Sequence, residues 1–139
     1  MAIEKERLKF LEEKAEQIRK DICVTTNHIG YSHMGGGMSM VEMAVALYYD
    51  FMNWSPEKVD DPDRDRFVLS KGHCCPALYA VLADKGYFPK SELSTLRKFG
   101  SHLQGHPDMR KTPGVDANTG SLGQGISIAM GMALAAKLG

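Results

Sequence analysis

The sequence has no excess of charge of either sign, since Lys and Arg number 17 and Asp and Glu also number 17. A chain without a basic surplus lacks the surface field that attracts nucleic acid or anionic membranes, so we expect neither as a partner. The sequence also lacks an apolar run of about 18 residues, the length that a membrane-spanning helix needs. Its charged first segment has no apolar core of the kind found in signal peptides.

Cysteine is scarce, and the three that are present make a poor disulfide framework because their number is odd and Cys74 and Cys75 are adjacent. In a chain without a visible signal peptide, such thiols are typical of a reducing compartment. We therefore predict a cytoplasmic protein.

Hydrophobic periodicity predicts a first helix over residues 4–26, where apolar side chains recur every three or four residues. A glycine-rich loop follows, and Ser39 with Glu42 then fits a capping box that opens a second helix over about 40–52. Further helices are predicted over about 76–85, over 91–98 and in the Ala-, Met- and Gly-rich segment after Thr119. Because small residues allow close backbone approach, we expect this last helix to be deeply buried.

One short apolar run, residues 67–69, is typical of a buried parallel strand, and residues 114–116 are a candidate for a second. Helices that alternate with such strands indicate the α/β class, with a parallel sheet flanked by helices. Two strands are too few for a stable sheet. The sequence therefore predicts that residues 1–139 form an incomplete domain.

Two groups of loop residues are candidates for chemistry. The glycine-rich segment 119–125 heads a helix, where free backbone N–H groups favour an anion and absent side chains let a ligand approach. Four histidines lie on irregular segments, at His33, His73, His102 and His106. Imidazole suits proton transfer and hydrogen bonding to sugar hydroxyls. Tight helix packing for the glycines, and ordinary surface or core positions for the histidines, are the alternative interpretations.

A zinc site built from Cys74, Cys75 and nearby histidines is a further alternative. The spacing does not match a structural zinc pattern, because no Cys-x-x-Cys pair is present and adjacent thiols point in different directions. Burial as small apolar side chains is the preferred interpretation for both thiols.

Five motifs follow one another along the chain and cover most of residues 5–139. They are 32–39 (Ser-His-Met-Gly-Gly-Gly-Met-Ser), 67–73 (Phe-Val-Leu-Ser-Lys-Gly-His), 76–79 (Pro-Ala-Leu-Tyr), 100–107 (Gly-Ser-His-Leu-Gln-Gly-His-Pro) and 112–125, which ends in Thr-Gly-Ser-Leu-Gly-Gln-Gly. In this order they resemble the N-terminal, thiamine-diphosphate-binding part of transketolase. The glycine-rich first motif and the early first helix are most similar to the N-terminal subunit of split transketolases, in which the two halves are separate chains.

The resemblance implies the thiamine-diphosphate-binding fold, of which residues 1–139 would be an incomplete N-terminal portion. It implies transfer of a two-carbon ketol unit from a ketose phosphate to an aldose phosphate, with thiamine diphosphate as the electron sink. By the same comparison, His33 and His106 would line the substrate channel as catalytic residues. The cofactor-binding residues that it implies are His73, Gly120, Ser121 and Leu122.

The resemblance also implies Mg²⁺ or Ca²⁺, whose ligands lie beyond residue 139 in the family's Gly-Asp-Gly motif, so no metal ligand is assigned within the chain. The glutamate that activates the cofactor belongs to the other, pyrimidine-binding half. The implied partner is a C-terminal transketolase half or subunit, in a homodimer or heterotetramer. Two rival functions stay open: a related enzyme that acts on an unusual sugar phosphate, and a non-catalytic assembly fragment.

Overall fold

A computed structural model describes residues 3–138 of the protein. Its α-helices are α1 (Lys5–Asn27), α2 (Met34–Met38), α3 (Val41–Ala46), α4 (Cys75–Asp84) and α5 (Gln124–Leu138). A π-helical turn, Leu47–Phe51, continues α3, and 3₁₀ turns cover Pro56–Lys58, Gly72–Cys74 and Lys90–Thr95. Long loops connect these elements, and the longest leads from residue 96 to the start of α5.

The helix α1 confirms the first predicted helix to within one residue at each end. It packs against α3 and α4 and buries Ala15, Ile18 and Ile22 of its apolar stripe. The first turns are exposed, and Leu8 keeps 43% of its surface. The stripe therefore joins the core only over the part of the helix that α3 and α4 cover.

The predicted second helix over 40–52 is confirmed by α3 and its π-helical continuation, which together cover residues 41–51, but the prediction of Ser39 as its N-cap is wrong. Ser39 is instead the C-cap of α2, with helical backbone angles (φ −69°, ψ −12°), and its hydroxyl donates to Gly36 O at 3.1 Å. The carboxylate of Glu42 pairs with Arg19 of α1. Because the glycine-rich segment itself forms a helical turn, the chain is already helical at Ser39, whereas an N-cap needs non-helical backbone.

The helix α4 is the centre of the core. Every residue from 75 to 83 is buried, and the helix packs against α1, α3 and the 3₁₀ turn Lys90–Thr95. Pro76 lies in its first turn, and Gly86 follows its end with a φ of +88°. These are the predicted start and stop signals, since proline fits the first helical turn and glycine adopts the left-handed conformation that ends a helix. The predicted helix over 76–85 is thus confirmed.

Asp84 at the end of α4 ties this helix to its neighbours. Its carboxylate lies 2.7 Å from Lys14 Nζ and 2.5 Å from Lys90 Nζ, and it accepts a hydrogen bond from the Tyr49 hydroxyl. Burial alone would raise the pKa of Asp84, but these three donors outweigh it and lower the pKa to about 2. The pairs link α4 to α1 and to the 3₁₀ turn beside it.

The predicted strand at residues 67–69 is wrong, because no β-strand is found within residues 3–138. The backbone here bonds to side chains instead of to a neighbouring strand. The Phe67 N–H donates to Asp116 Oδ2 at 2.8 Å, and Leu69 O accepts from Thr119 Oγ1 at 2.7 Å. A parallel strand needs a partner strand for its ladder, and the described chain supplies none.

The second predicted strand, residues 114–116, is also wrong. Gly114 has a φ of +82°, a conformation that does not continue an extended strand. Asp116 is buried in an ion pair with Arg64 at 2.5 Å, which fixes this loop onto the segment before residue 67. The parallel sheet expected for the α/β class is therefore not seen in the described residues.

The helix α5 forms where the glycine-rich segment ends, but the expectation that it is deeply buried is wrong. Its only buried residue is Gly125, where a Cβ would come within 2.6 Å of Ser70 Cα. Ile126, Met130 and Leu134 keep 65%, 68% and 58% of their surface. Small residues permit close packing only where a neighbour exists, and no other helix described here packs along α5. Its 15 residues are mainly apolar or small, yet no helix within residues 3–138 is long and apolar enough to span a membrane.

Candidate active site

Two of the predicted histidines meet at the start of α4. His33 is the residue before α2, and His73 lies in the 3₁₀ turn Gly72–Cys74 that leads into α4. Their ring centroids are 4.4 Å apart. A Cβ on Gly36 of α2 would come within 2.5 Å of Cys74 Sγ, so the glycine lets α2 lie directly against this turn.

Lys71 reinforces this contact, and it is a residue that the sequence motifs did not single out. Its ammonium donates to Gly36 O at 2.6 Å and lies 3.3 Å from Ser39 Oγ. The lysine therefore fastens α2 to the segment that carries His73. The signal that was available is its position inside the motif 67–73.

His73 has an unusual electrostatic environment. Burial lowers the pKa of its imidazole, and the nearby groups His33, His106 and Lys71 lower it further. A pKa below the ordinary value of about 6.5 keeps the ring neutral at pH 7. A neutral imidazole both donates and accepts a hydrogen bond, so His73 presents one of each to the site.

His106 lines a cleft with a volume of about 630 Å³. The cleft is also lined by residues 104–108, residues 118–121 and Gln124. A Cβ on Gly120 would lie 3.6 Å from His106 Cδ2, so the imidazole ring lies over the bare backbone of this glycine. Ser121 shares the same cleft. This cleft has the size of a typical small-molecule site, about 300–1,000 Å³.

Leu122 lies apart from the two residues before it. Its side chain keeps 68% of its surface. It lines a second cavity of about 380 Å³, together with Met43, Ser70 and Lys71. The three consecutive residues that the motif predicts for cofactor binding therefore divide between two neighbouring cavities.

The loop that carries Gly120 lies against the turn that carries His73. A Cβ on Gly72 would overlap Thr119 O, so only glycine allows the two backbones to meet here. Thr119 in turn donates its hydroxyl to Leu69 O at 2.7 Å. The predicted site residues therefore gather around the start of α4, although the loops that carry them are far apart in the sequence.

The other two histidines lie outside this group. The ring of His102 bonds to the Glu92 carboxylate and meets the edge of Phe88 at 5.0 Å between ring centroids. The Nε2 atom of His28 lies 2.8 Å from Leu96 O. Both rings link loops to one another, and the structure does not bring them to the cleft.

The thiols of the candidate zinc site are engaged elsewhere. Cys75 Sγ lies 3.5 Å from Gln104 O and 3.3 Å from Gly105 O, as a thiol donor would. Burial raises the pKa of Cys75 to about 12, so it stays a thiol at neutral pH. Within residues 3–138, no group of three or more His, Cys, Asp or Glu side chains is arranged to hold a metal ion. The described residues therefore do not form the candidate zinc site.

Residues 12–138 match the family described as "Transketolase, thiamine diphosphate binding domain". The chain is 50% identical over 128 residues to the 6-deoxy-6-sulfo-D-fructose transketolase subunit SqwG of Clostridium sp. (strain MSTE9), a match that covers 92% of the chain and 46% of that subunit. It is 42% identical over 132 residues to one subunit of the apulose-4-phosphate transketolase of Phocaeicola vulgatus, which covers 95% of the chain and 47% of that subunit. The chain thus spans about half the length of these curated relatives.

Solved structures give the same result for the fold. The transketolase from Leishmania mexicana superposes with a TM-score of 0.83 at 38% sequence identity, over 90% of the chain and 19% of that structure. The described residues therefore have the fold of the corresponding part of a transketolase.

Proposed function

Because the chain belongs to the transketolase family, through its thiamine-diphosphate-binding domain, we propose that it supplies the N-terminal part of a transketolase. The reaction is transfer of a two-carbon ketol unit from a ketose phosphate to an aldose phosphate. The observation that carries this proposal is a pair of contacts: the ring centroids of His33 and His73 lie 4.4 Å apart, and the His106 ring lies over the bare backbone of Gly120. Imidazoles held on glycine-rich loops suit a reaction that moves protons on a sugar.

The residues of the cleft fit thiamine diphosphate. The volume of about 630 Å³ is adequate, and Gly120 adds no side chain to the cleft that it lines. We assign the backbone of Gly120, Ser121 and Leu122 to the aminopyrimidine side and the neutral His73 to the region near the diphosphate. When bound, the cofactor supplies a nucleophilic carbon and an electron sink for C–C bond cleavage.

The chain's own part in the reaction is binding and proton management. His33 and His106 are assigned to the substrate channel, where each imidazole binds a donor hydroxyl and accepts or returns its proton. The depressed pKa of His73 leaves its ring uncharged at neutral pH, so it acts as a hydrogen-bonding group and not as a cation. No metal ligand is proposed among residues 3–138, where no three His, Cys, Asp or Glu side chains are arranged to hold a metal ion.

The proposed partner is a C-terminal transketolase half or subunit, in a homodimer or heterotetramer in the cytoplasm. The two relatives described above are both named as subunits. In this chain α5 carries one charged residue, Lys137, and exposes Ile126, Met130 and Leu134. A helix that is apolar on all sides is normally covered, so we assign α5 to contact with the partner transketolase polypeptide. Met130→Glu is expected to lower the affinity for that partner, as measured by calorimetry.

A specialised sugar substrate is the second candidate. The two relatives are named for 6-deoxy-6-sulfo-D-fructose and for apulose 4-phosphate, which are not the same donor. Transfer rates for a panel of ketose donors, measured on the assembled enzyme, distinguish a general from a specialised enzyme. A non-catalytic assembly role is the remaining alternative, and it predicts no heat of binding when thiamine diphosphate and Mg²⁺ are added to the assembly.

The decisive experiment compares His106→Ala with His28→Ala in the chain assembled with its partner. His106 lines the cleft, whereas His28 is bonded to Leu96 O away from it. We expect the first variant to lose about 10²-fold or more in ketol transfer, the usual range for a lost acid–base group, at little cost in melting temperature. The second is expected to keep its rate. Loss of stability with intact kinetics in His106→Ala would contradict the assignment.

A further inference from the structure

The loop that carries His106 is fixed by an unusual set of hydrogen bonds. The carbonyl oxygens of residues 102–106, which we call the anchored loop, all accept hydrogen bonds although this segment is neither helix nor strand. Two donors serve one carbonyl oxygen each: the Thr112 hydroxyl donates to His102 O, and the Arg97 backbone N–H donates to Leu103 O. Two side chains of α4 serve two carbonyl oxygens each: the Tyr79 hydroxyl donates to Gln104 O and His106 O, and the Cys75 thiol donates to Gln104 O and Gly105 O. Such a complete set holds irregular backbone in one conformation, because each broken bond would leave a carbonyl without a partner.

Tyr79 is the central donor of this set. Its side chain is 0% exposed, and its hydroxyl lies 2.9 Å from Gln104 O and 3.2 Å from His106 O. One phenol proton is thus shared between two carbonyls of the anchored loop, one of which belongs to His106 itself. The ring of Tyr79 is held by the core on all sides, so the hydroxyl has a fixed position.

The helix α4 places this donor and His73 on one rigid element. His73 lies in the turn that leads into α4, and Cys75 and Tyr79 are one helical turn apart on the same face. Burial is the main cause that raises the pKa of Tyr79, and the nearby Cys75 raises it further. The phenol therefore stays protonated and able to donate a hydrogen bond. The geometry of α4 therefore relates the position of the anchored loop to the position of His73.

We propose that Tyr79 is a positioning residue, whose hydroxyl holds the backbone of the anchored loop so that the His106 ring lies over Gly120. The inference rests on the function proposed above for His106. Tyr79 does not face the cleft, and it acts on the reaction only through the loop.

The test compares Tyr79→Phe with Tyr87→Phe in the assembled enzyme with thiamine diphosphate and Mg²⁺. Tyr87 is a matched control, because its hydroxyl also donates to a backbone carbonyl, Ser55 O at 2.6 Å, away from the cleft. Tyr79→Phe is expected to lower kcat/KM for the ketose donor about 10- to 100-fold, the range for a reacting group misplaced by about 1 Å. The affinity for thiamine diphosphate is expected to stay unchanged. Equal effects of the two variants on kcat/KM would overturn the proposal.

A double-variant cycle isolates the route through His106. If Tyr79 acts by positioning His106, then Tyr79→Phe causes little further loss in a His106→Ala background, because the group that it positions is gone. An equal fold-loss in both backgrounds would overturn the proposal. Should Tyr79→Phe fail to fold, Cys75→Ala removes the other α4 donor to the same loop and is expected to shift kcat/KM in the same direction by a smaller factor.

A spectroscopic readout separates failure of this inference from failure of the proposed function. If the wild-type assembly transfers no ketol unit, the proposed function is wrong, and the positioning is tested by NMR of labelled histidine side chains in that assembly. Tyr79→Phe is expected to shift and broaden the ring signals of His106 and to leave those of His28 unchanged. Unchanged His106 signals would overturn the proposal whether or not the assembly is active.

Discussion

The helices α4 and α5 have similar composition and opposite surroundings. Each carries a single charged residue, Asp84 in α4 and Lys137 in α5, among mainly apolar and small side chains. Residues 75–83 of α4 are all buried, whereas Gly125 is the only buried residue of α5. The difference lies in the neighbours, because α1, α3 and the 3₁₀ turn Lys90–Thr95 enclose α4 and no described helix runs along α5.

The molecule therefore has one part whose apolar surface is buried within the chain and another part whose apolar surface is exposed. The first part is α4 with its neighbours, which holds His73 at its start and supports the anchored loop through Tyr79. The second part is α5, whose Gly125 packs against Ser70 beside the site. We thus expect a partner polypeptide to bury α5 without changing the conformation of α4 and the anchored loop.

The largest effect on the free energy of unfolding is expected when a leucine is truncated to alanine in α4, and the same truncation in α5 provides the comparison. Leu82 of α4 has 0% of its surface exposed, and Leu134 of α5 has 58%. Leu82→Ala leaves a cavity in packed surroundings, which costs about 2–5 kcal/mol in the free energy of unfolding. Leu134→Ala removes an exposed side chain and is expected to change this free energy by less than about 0.5 kcal/mol before the partner is bound.

Urea denaturation of both variants measures this contrast. Binding of the partner provides a second comparison, because Leu134→Ala is expected to weaken the affinity for a partner that covers α5. Equal destabilisation by the two variants in the unassembled chain would show that α5 is packed, against the contrast drawn here.

A smaller effect is expected within α5 itself. Gly125→Ala would place a Cβ within 2.6 Å of Ser70 Cα, and such overpacking costs about 1–3 kcal/mol. A Cβ on Gly131 meets nothing within 4 Å, so Gly131→Ala is expected to stabilise the helix by up to about 1 kcal/mol through propensity. Thermal unfolding followed by circular dichroism measures both. A stabilising Gly125→Ala would mean that the first turn of α5 is not docked.

An effect of similar size concerns the link from α4 to α1, and it depends on pH. The pKa of Asp84 is about 2 in the folded chain against an ordinary 3.8, so its ion pairs stabilise the fold above about pH 4. This contribution is lost as the pH falls from about 4 to about 2. Asp84→Asn is expected to cost about 1–3 kcal/mol at pH 7, the range for hydrogen bonds to a charged group.

Chemical denaturation at several pH values tests this expectation. Asp84→Asn should reduce the fall in stability of the wild-type chain between about pH 4 and pH 2. Asp60→Asn serves as a control, because Asp60 is an exposed residue in a turn outside the helices. An unchanged acid transition in Asp84→Asn would contradict the assigned role.

The elements that the sequence predicts well are those with local signals. The bounds of α1 follow from its apolar stripe, and those of α4 follow from Pro76 and Gly86. The helix α2 was missed because glycines predict a loop, whereas its packing against Cys74 and the bond from Lys71 hold the segment helical. Those contacts join residues about 35 positions apart, which no local pattern reports.

The candidate site shows the same division. The motifs pointed to His33, His73, His106 and Gly120, and the structure places these residues together; their roles stay predictions. The sequence analysis assigned no role to Tyr79, because its hydroxyl donates to the carbonyl oxygens of Gln104 and His106, which lie near it only in the folded chain.

By itself, the sequence determined the transketolase family and the helices α1 and α4, and it singled out three residues that line the cleft, His106, Gly120 and Ser121. The tertiary structure alone decided that residues 67–69 bond to side chains, that α4 is covered while α5 is open, and that Tyr79 supports His106. The physical reason is that motif and periodicity are properties of neighbouring residues, whereas burial and hydrogen-bond partners depend on segments that meet only in the fold.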